Sequence, residues 1–192
     1  MSAQERALTD LARLLDRLEV PYMIIGGMAN AVWGEPRATV DIDATVWIAE
    51  DEIEARVPQI TAAFEALVPE PVRFIVDTRV LPLSSHEGVR VDLIFGLLPF
   101  EEEAIRRAVV VPVAGVPVRF CTAEDLILHK ITSERDRDLS DARGIVLRRL
   151  HEIDLDYLEP RVAELSRHLE RPEIRERWEA WKRVGRRRTS SE

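Results

Sequence analysis

The stretch TVDIDATVWI, residues 39–48, sets two acids, Asp41 and Asp43, at alternate positions of a run that otherwise reads as a β-strand. Alternate strand residues share a face and lie about 6.6 Å apart, so the two carboxylates converge while Ile42 turns to the core. Aspartate is disfavoured in strands, and its charge resists burial. A chain with this pair must build a sheet that presents one polar row and supplies it with a cation or an ion-pair partner.

Around this run the hydrophobic period alternates between helix and strand. Ala7, Leu8, Leu11, Leu14, Leu15 and Leu18 keep helical spacing, and EVPYMII then changes to a buried strand. Gly26 and Gly27 end that strand, MANAVWG predicts a short helix and EPR a loop before the acidic strand. Asp51 is expected to cap a helix running through Ile60 and Phe64 to Leu67. Further strands are expected at VRFIVD (72–77) and GVRVDLIFG (88–96), with a turn in LPLSSHE between them. FEEEAIRRA reads as a helix, and VVVPVAGVPVRF as a hairpin whose Pro112 and Pro117 belong at edges. From Thr122 the alternation stops: one helix is expected through LILHKITSERDRDLSDARGIVLRRL, with two more near 155–169 and 172–184. The predicted fold class is α/β, a mixed β-sheet flanked by helices over residues 1–121, then a helical C-terminal appendage over 122–184 and a basic flexible tail over 185–192.

Composition narrows the chemistry. No apolar run approaches the ~20 residues of a membrane span and no leader pattern is present, so a cytoplasmic protein with no membrane partner is expected. The single Cys121 excludes an internal disulfide, and four scattered histidines form no zinc-ligand pattern, so a metal site must use oxygens. A net charge of -8 argues against a nucleic-acid-binding surface over the whole molecule. The terminal WKRVGRRRTSSE is locally basic, through Lys182, Arg183, Arg186, Arg187 and Arg188, and reads either as a phosphate contact or as a solvated end.

Asp92, in VRVDLIF, is a third acid inside an apolar strand. Three such acids suit Mg²⁺ or Mn²⁺, which prefer hard oxygen ligands. Two such ions about 3.5–4 Å apart drive in-line displacement at phosphorus. The competing reading pairs Asp41 and Asp43 with Arg37 or Arg90. Gly26-Gly27 lies where a strand gives way to a helix, so its backbone amides can meet phosphate oxygens; it also reads as a plain turn.

Together, IIGGMANAVWGEPRATVDIDATVW and the later VRVDLIFG resemble the nucleotidyltransferase superfamily of the DNA polymerase β type. With TAEDLILHKITSERDRDLSDARGI they look most like AbiEii-type toxins and their minimal-nucleotidyltransferase relatives. The resemblance covers roughly residues 22–145. It implies a nucleotidyltransferase fold that transfers a nucleoside monophosphate from an NTP, ATP among them, to an acceptor hydroxyl. Asp41, Asp43 and Asp92 would be the metal ligands, with Asp92 also the general base. Gly26 and Gly27 would hold the nucleotide phosphates, with Thr39 and Arg37 beside them and Lys130 on the triphosphate. For Arg37 an ion pair is an equal alternative, and for Lys130 an ordinary place on a helix face. The resemblance further implies a tRNA 3′ end as acceptor and the role of toxin in a type IV toxin–antitoxin pair, with a cognate protein partner. Two rivals are an antitoxin-type enzyme that AMPylates a partner protein and an enzyme modifying a small molecule such as an aminoglycoside.

Other patterns are ordinary. On an unbroken helix Lys130 and Asp141 would stand ~16 Å apart, and Asp141 would pair with Arg137 at i,i+4. Ser84, Ser85 and His86 lack the spacing of a nucleophile and base. Arg161 and His168 have an R-x6-H spacing found in helical ribonucleases, on a helix of unremarkable composition. Trp178 and Trp181 suit a packed helix face better than base stacking.

Overall fold

The structure is a computed structural model that describes residues 1–189, with 188 and 189 as helix backbone only. By its contacts the chain divides into two compact units, Met1–Ala29 with Ala38–Cys121, and Asn30–Arg37 with the residues from Thr122 onward.

The first unit opens with α1 (Ala3–Arg17), started by a reciprocal cap. The Ser2 hydroxyl accepts from the Glu5 amide at 3.1 Å, and the Glu5 carboxylate accepts from the Ser2 amide at 2.6 Å. Its apolar stripe, Ala7, Leu8, Leu11, Ala12, Leu14 and Leu15, is buried. Next come β1 (Tyr22–Ile24), α2 (Gly26–Trp33), whose residues from Asn30 onward belong to the second unit, and β2 (Ile42–Val46), so Asp41 stands just before its strand rather than in it. A 3-10 turn at Glu50–Glu52 leads into α3 (Ile53–Thr61), followed by β3 (Glu65–Ala66), α4 (Pro71–Thr78), β4 (Val80–Ser84), β5 (Arg90–Phe95), α5 (Pro99–Arg107), β6 (Val109–Val113) and β7 (Val116–Phe120). The seven strands form one sheet in the order β3-β4-β5-β2-β1-β7-β6, parallel at β2·β5 and β1·β7 and antiparallel elsewhere.

Three local expectations are corrected. The helix expected to reach Leu67 ends at Thr61, because Phe64 turns into the core and Glu65–Ala66 pairs with β4; Asp51 lies in the 3-10 turn and caps nothing. Residues 72–77 form a helix, not a strand. Pro71 supplies the fixed φ of a first helical position, Ile75 alone is fully buried while Val76 is exposed, and Arg79 closes the helix in the left-handed region at φ 63°. The missing strand is β4, which runs from Val80 into the segment expected to turn: Leu81 and Leu83 are fully buried on one face. The hairpin β6–β7 is as expected, turning through Ala114 and Gly115 at positive φ and opposing Pro112 to Pro117. Pro117 is tolerated because β1 reaches β7 only at Ile24↔Phe120, and β6 is an edge.

The second unit is helical: α6 (Ala123–Ile131), α7 (Asp136–Arg149), α8 (Leu155–His168) and α9 (Pro172–Thr189). The single helix expected after Thr122 is broken at residues 132–135. Arg171, just before α9, and Arg177, within it, donate to the Thr132 and Ile131 carbonyls at 2.7 and 2.8 Å and satisfy the end of α6. Trp178 and Trp181 are 1% and 9% exposed, so α9 packs by its aromatic face. Arg161 lies over the Tyr157 ring at 3.7 Å and exposed His168 faces Glu164. Residues 185–189, expected as tail, continue α9, and residues 190–192 lie outside the described residues.

Candidate active site

The polar row anticipated from DIDAT is built by the register of two parallel strands. Ile42, Ala44 and Val46 of β2 lie beside Val91, Leu93 and Phe95 of β5, all buried on one side of the sheet. The intervening residues turn the other way, and the register pairs Asp43 with Asp92 directly. Adjacent strands run about 4.8 Å apart, so the two carboxylates rise side by side from one face. Beyond them on this face Thr45 is 1% exposed, its hydroxyl without a hydrogen-bond partner.

Gly26 fits under Asp43. The Ile25 amide donates to the Asp43 carbonyl at 2.9 Å, carrying the pairing of β1 and β2 one residue past β1. The chain then turns through Gly26 at φ 63° into α2, and a Cβ there would stand 2.0 Å from Asp43 Oδ2 and 2.8 Å from Cγ. Glycine is thus required twice, for its conformation and for the space the carboxylate fills. Gly26→Ala is expected to cost about 2 kcal/mol of stability and to drive the Asp43 carboxylate from its seat. A denaturant midpoint unchanged from wild type would contradict both requirements.

Asp92 is held by a neighbour on its own strand. Arg90 donates from Nε to both carboxylate oxygens at 3.1 Å, and its Nη2 lies 3.0 Å from Oδ1. That hydrogen bond first, and then the charges of Asp92, Asp41 and Asp43, raise the Arg90 pKa, so all three acids lie within its electrostatic reach. Thr39 bonds locally, donating to the Asp41 carbonyl at 3.3 Å. In donor chemistry the three carboxylates suit a hard divalent cation, and the register sets two of them, Asp43 and Asp92, side by side. As they stand, Asp92 is engaged by Arg90, and among the described residues no three metal-ligating groups lie close enough to hold an ion.

Arg37 and Lys130 belong to the second unit, where one carboxylate joins them. Arg37 donates to Asp141 from Nε and Nη2 at 3.0–3.3 Å, and Lys130 Nζ lies 2.9 Å from Asp141 Oδ2 and 2.7 Å from Asp138 Oδ1. Ser133 Oγ donates to the other oxygen of Asp138 at 2.9 Å. The break between α6 and α7 folds Asp141 back onto Lys130, which corrects the ~16 Å separation expected for a continuous helix. It also gives Asp141 to Arg37 and Lys130 rather than to Arg137. Burial pushes both carboxyls up, but hydrogen bonds from the cations, joined at Asp138 by Ser133, outweigh it and hold Asp138 and Asp141 below the usual carboxylate range. Lys130 is 5% exposed. Arg37, Asp141, Arg137 and Ser140 line a cavity of about 420 Å³; Lys130 is not among its lining residues. Sequence reasoning missed Asp138 and Asp141 as partners of Lys130, although the TSER segment between them, with Ser133, carries the signal for a helix break.

The family model for nucleotidyltransferases of unknown function (DUF6036) matches residues 3–187. The chain belongs to this nucleotidyltransferase family. Among solved structures it is similar to an antigenic nucleotidyltransferase-like protein from Paracoccidioides brasiliensis, at 18% identity over 94% of each chain and a TM-score of 0.54. It also resembles ANT(2″)-Ia in complex with adenylyl-2″-tobramycin, at 15% identity over 92% of this chain and 99% of that one, with a TM-score of 0.55. The lincosamide antibiotic adenylyltransferase LnuA, bound to lincomycin, aligns at 13% identity over 76% of this chain and 96% of its own, with a TM-score of 0.51. At these identities the likeness is one of fold. No curated protein matches the sequence.

Proposed function

We propose that this nucleotidyltransferase moves a nucleoside monophosphate from an NTP to an acceptor hydroxyl at the face of β2 and β5, with Asp41, Asp43 and Asp92 as the acids that hold a divalent cation. The observation that carries this reading is the Asp43↔Asp92 register above the turn at Gly26. Gly26 and Gly27 open α2, whose first amides have no partner within the helix and suit phosphate oxygens. Thr39 lies just before the acids, and Asp92 is the candidate base toward the acceptor hydroxyl. Mg²⁺ or Mn²⁺, when bound, would supply Lewis-acid stabilisation of the charge that develops on the phosphoryl oxygens and on the leaving pyrophosphate. We extend the phosphate-contact assignment to Arg37 and Lys130 on the resemblance alone, since Asp138 and Asp141 already take up the Lys130 ammonium.

For the acceptor, the charge balance favours a small hydroxyl-bearing molecule, cationic or neutral. A net charge of -8 attracts a polyamine-like substrate and opposes the phosphodiester backbone of an RNA. The antibiotic-modifying fold neighbours act on small acceptors of this kind, which supports the same choice. The tRNA 3′ end, with the chain as toxin of a type IV pair, draws on the basic run of α9. There Lys182 is already taken by Glu159 and Glu179, which weakens that support. Incubation with each α-labelled NTP, Mg²⁺ and either an aminoglycoside and lincosamide panel, total RNA or whole-cell protein is expected to label a small molecule. Label on tRNA-sized RNA would replace that acceptor with the toxin reading, and label on a protein band with the AMPylating one.

A further inference from the structure

Arg90 occupies the position at the acid face that a cation would contest. It sits two residues before Asp92 on β5, so both side chains leave the same side of the strand. Its fork closes on Asp92 with three contacts of 3.0–3.1 Å, and Asp92 stands in register with Asp43. The pair is only partly buried, with side-chain exposures of 51% for Arg90 and 23% for Asp92. An ion pair this exposed is weakly held, because water screens it and ordering the long Arg side chain offsets its attraction. A divalent cation approaching the three acids therefore meets a counter-ion that it can displace. We propose that Arg90 is the resident counter-ion of the Asp41, Asp43 and Asp92 cluster, and that a divalent cation enters by displacing its guanidinium from Asp92.

The inference rests on the metal-site reading of these acids and goes beyond it, because it makes Arg90 a positioning residue that sets the cluster's metal affinity. Without Arg90 the neighbouring carboxylates of Asp43 and Asp92 lose the positive charge beside them, and a divalent cation meets no competitor for the oxygens of Asp92. With Arg90 in place, the cation competes with a positive group for the oxygens of Asp92. After displacement, the guanidinium remains tethered beside the cluster.

Binding of Mn²⁺ by the full chain without nucleotide, followed through the electron paramagnetic resonance signal of free Mn²⁺, tests this directly. R90Q is expected to bind Mn²⁺ about three- to tenfold more tightly than wild type, a range that fits loss of one exposed ion pair. R90K keeps the charge and loses the fork, and is expected to fall between the two. R90Q binding no more tightly than wild type would overturn the inference and leave the metal-site reading standing. R90K matching wild type would assign the effect to charge at a distance and overturn the displacement. Failure of both wild type and R90Q to bind Mn²⁺, or D43N binding as tightly as wild type, would instead overturn the metal-site reading.

Discussion

Asp43→Asn is expected to lower nucleotidyl transfer at least a thousandfold while leaving the fold as stable as wild type or slightly more so. The loss follows from position: Asp43 is the acid paired in register with Asp92 and seated over Gly26. An amide keeps the shape that fills this seat but gives up the charge a divalent cation needs. A thousandfold loss corresponds to about 4 kcal/mol of transition-state stabilisation, in the range removed when a group facing developing charge is deleted. Stability should move the other way, because the substitution removes one of two like charges on neighbouring strands. The labelled-NTP assay gives the first quantity and urea unfolding the second. Residual activity above a tenth of wild type would show that Asp43 does not hold the reacting centre. A large loss of stability would make its role structural.

The acids were legible because strands seldom carry them: Asp43 and Asp92 stand out against Ile42, Ala44, Val91 and Leu93, whose alternation is clean. What the sequence could not give was their pairing, since a parallel β2·β5 register is fixed by residues 49 positions away. Nor did it settle which basic residue takes which acid. From sequence Arg90 reads as a partner for Asp41 and Asp43, yet in the fold it forks onto Asp92 at two residues' distance. The misread segment at 72–84 has a local cause. VRFIVD is rich in β-branched and aromatic residues, so composition favoured a strand, while Pro71 at a helix start and the isolated burial of Ile75 decide for α4. The strand that follows was hidden by Pro82, which sits opposite Asp92 without a backbone donor to give.

Lys130→Met is expected to destabilise the helical unit by about 2–3 kcal/mol, below the usual cost of breaking a buried ion pair because buried Asp141 keeps Arg37 and Asp138 is only partly buried. Lys130 serves two acids at 2.7 and 2.9 Å, and the substitution strips Asp138 of its cation while Asp141 keeps Arg37. The pH dependence follows from the direction of the carboxyl shifts. Asp138 and Asp141 are held below the usual carboxylate range in the folded chain, so their contribution is fully present above the unfolded value near pH 4 and is lost as pH falls through the lower folded values. The gap between wild type and Lys130→Met should therefore be widest at neutral pH and shrink below about pH 4, where protonation relieves the stranded acids. Urea unfolding at pH 7 and pH 3 measures both gaps. A cost under about 1 kcal/mol at pH 7, at the level of a surface pair, would mean that the ammonium is not needed to close the break between α6 and α7. Its assignment to the triphosphate would then gain the ground that its burial now denies it.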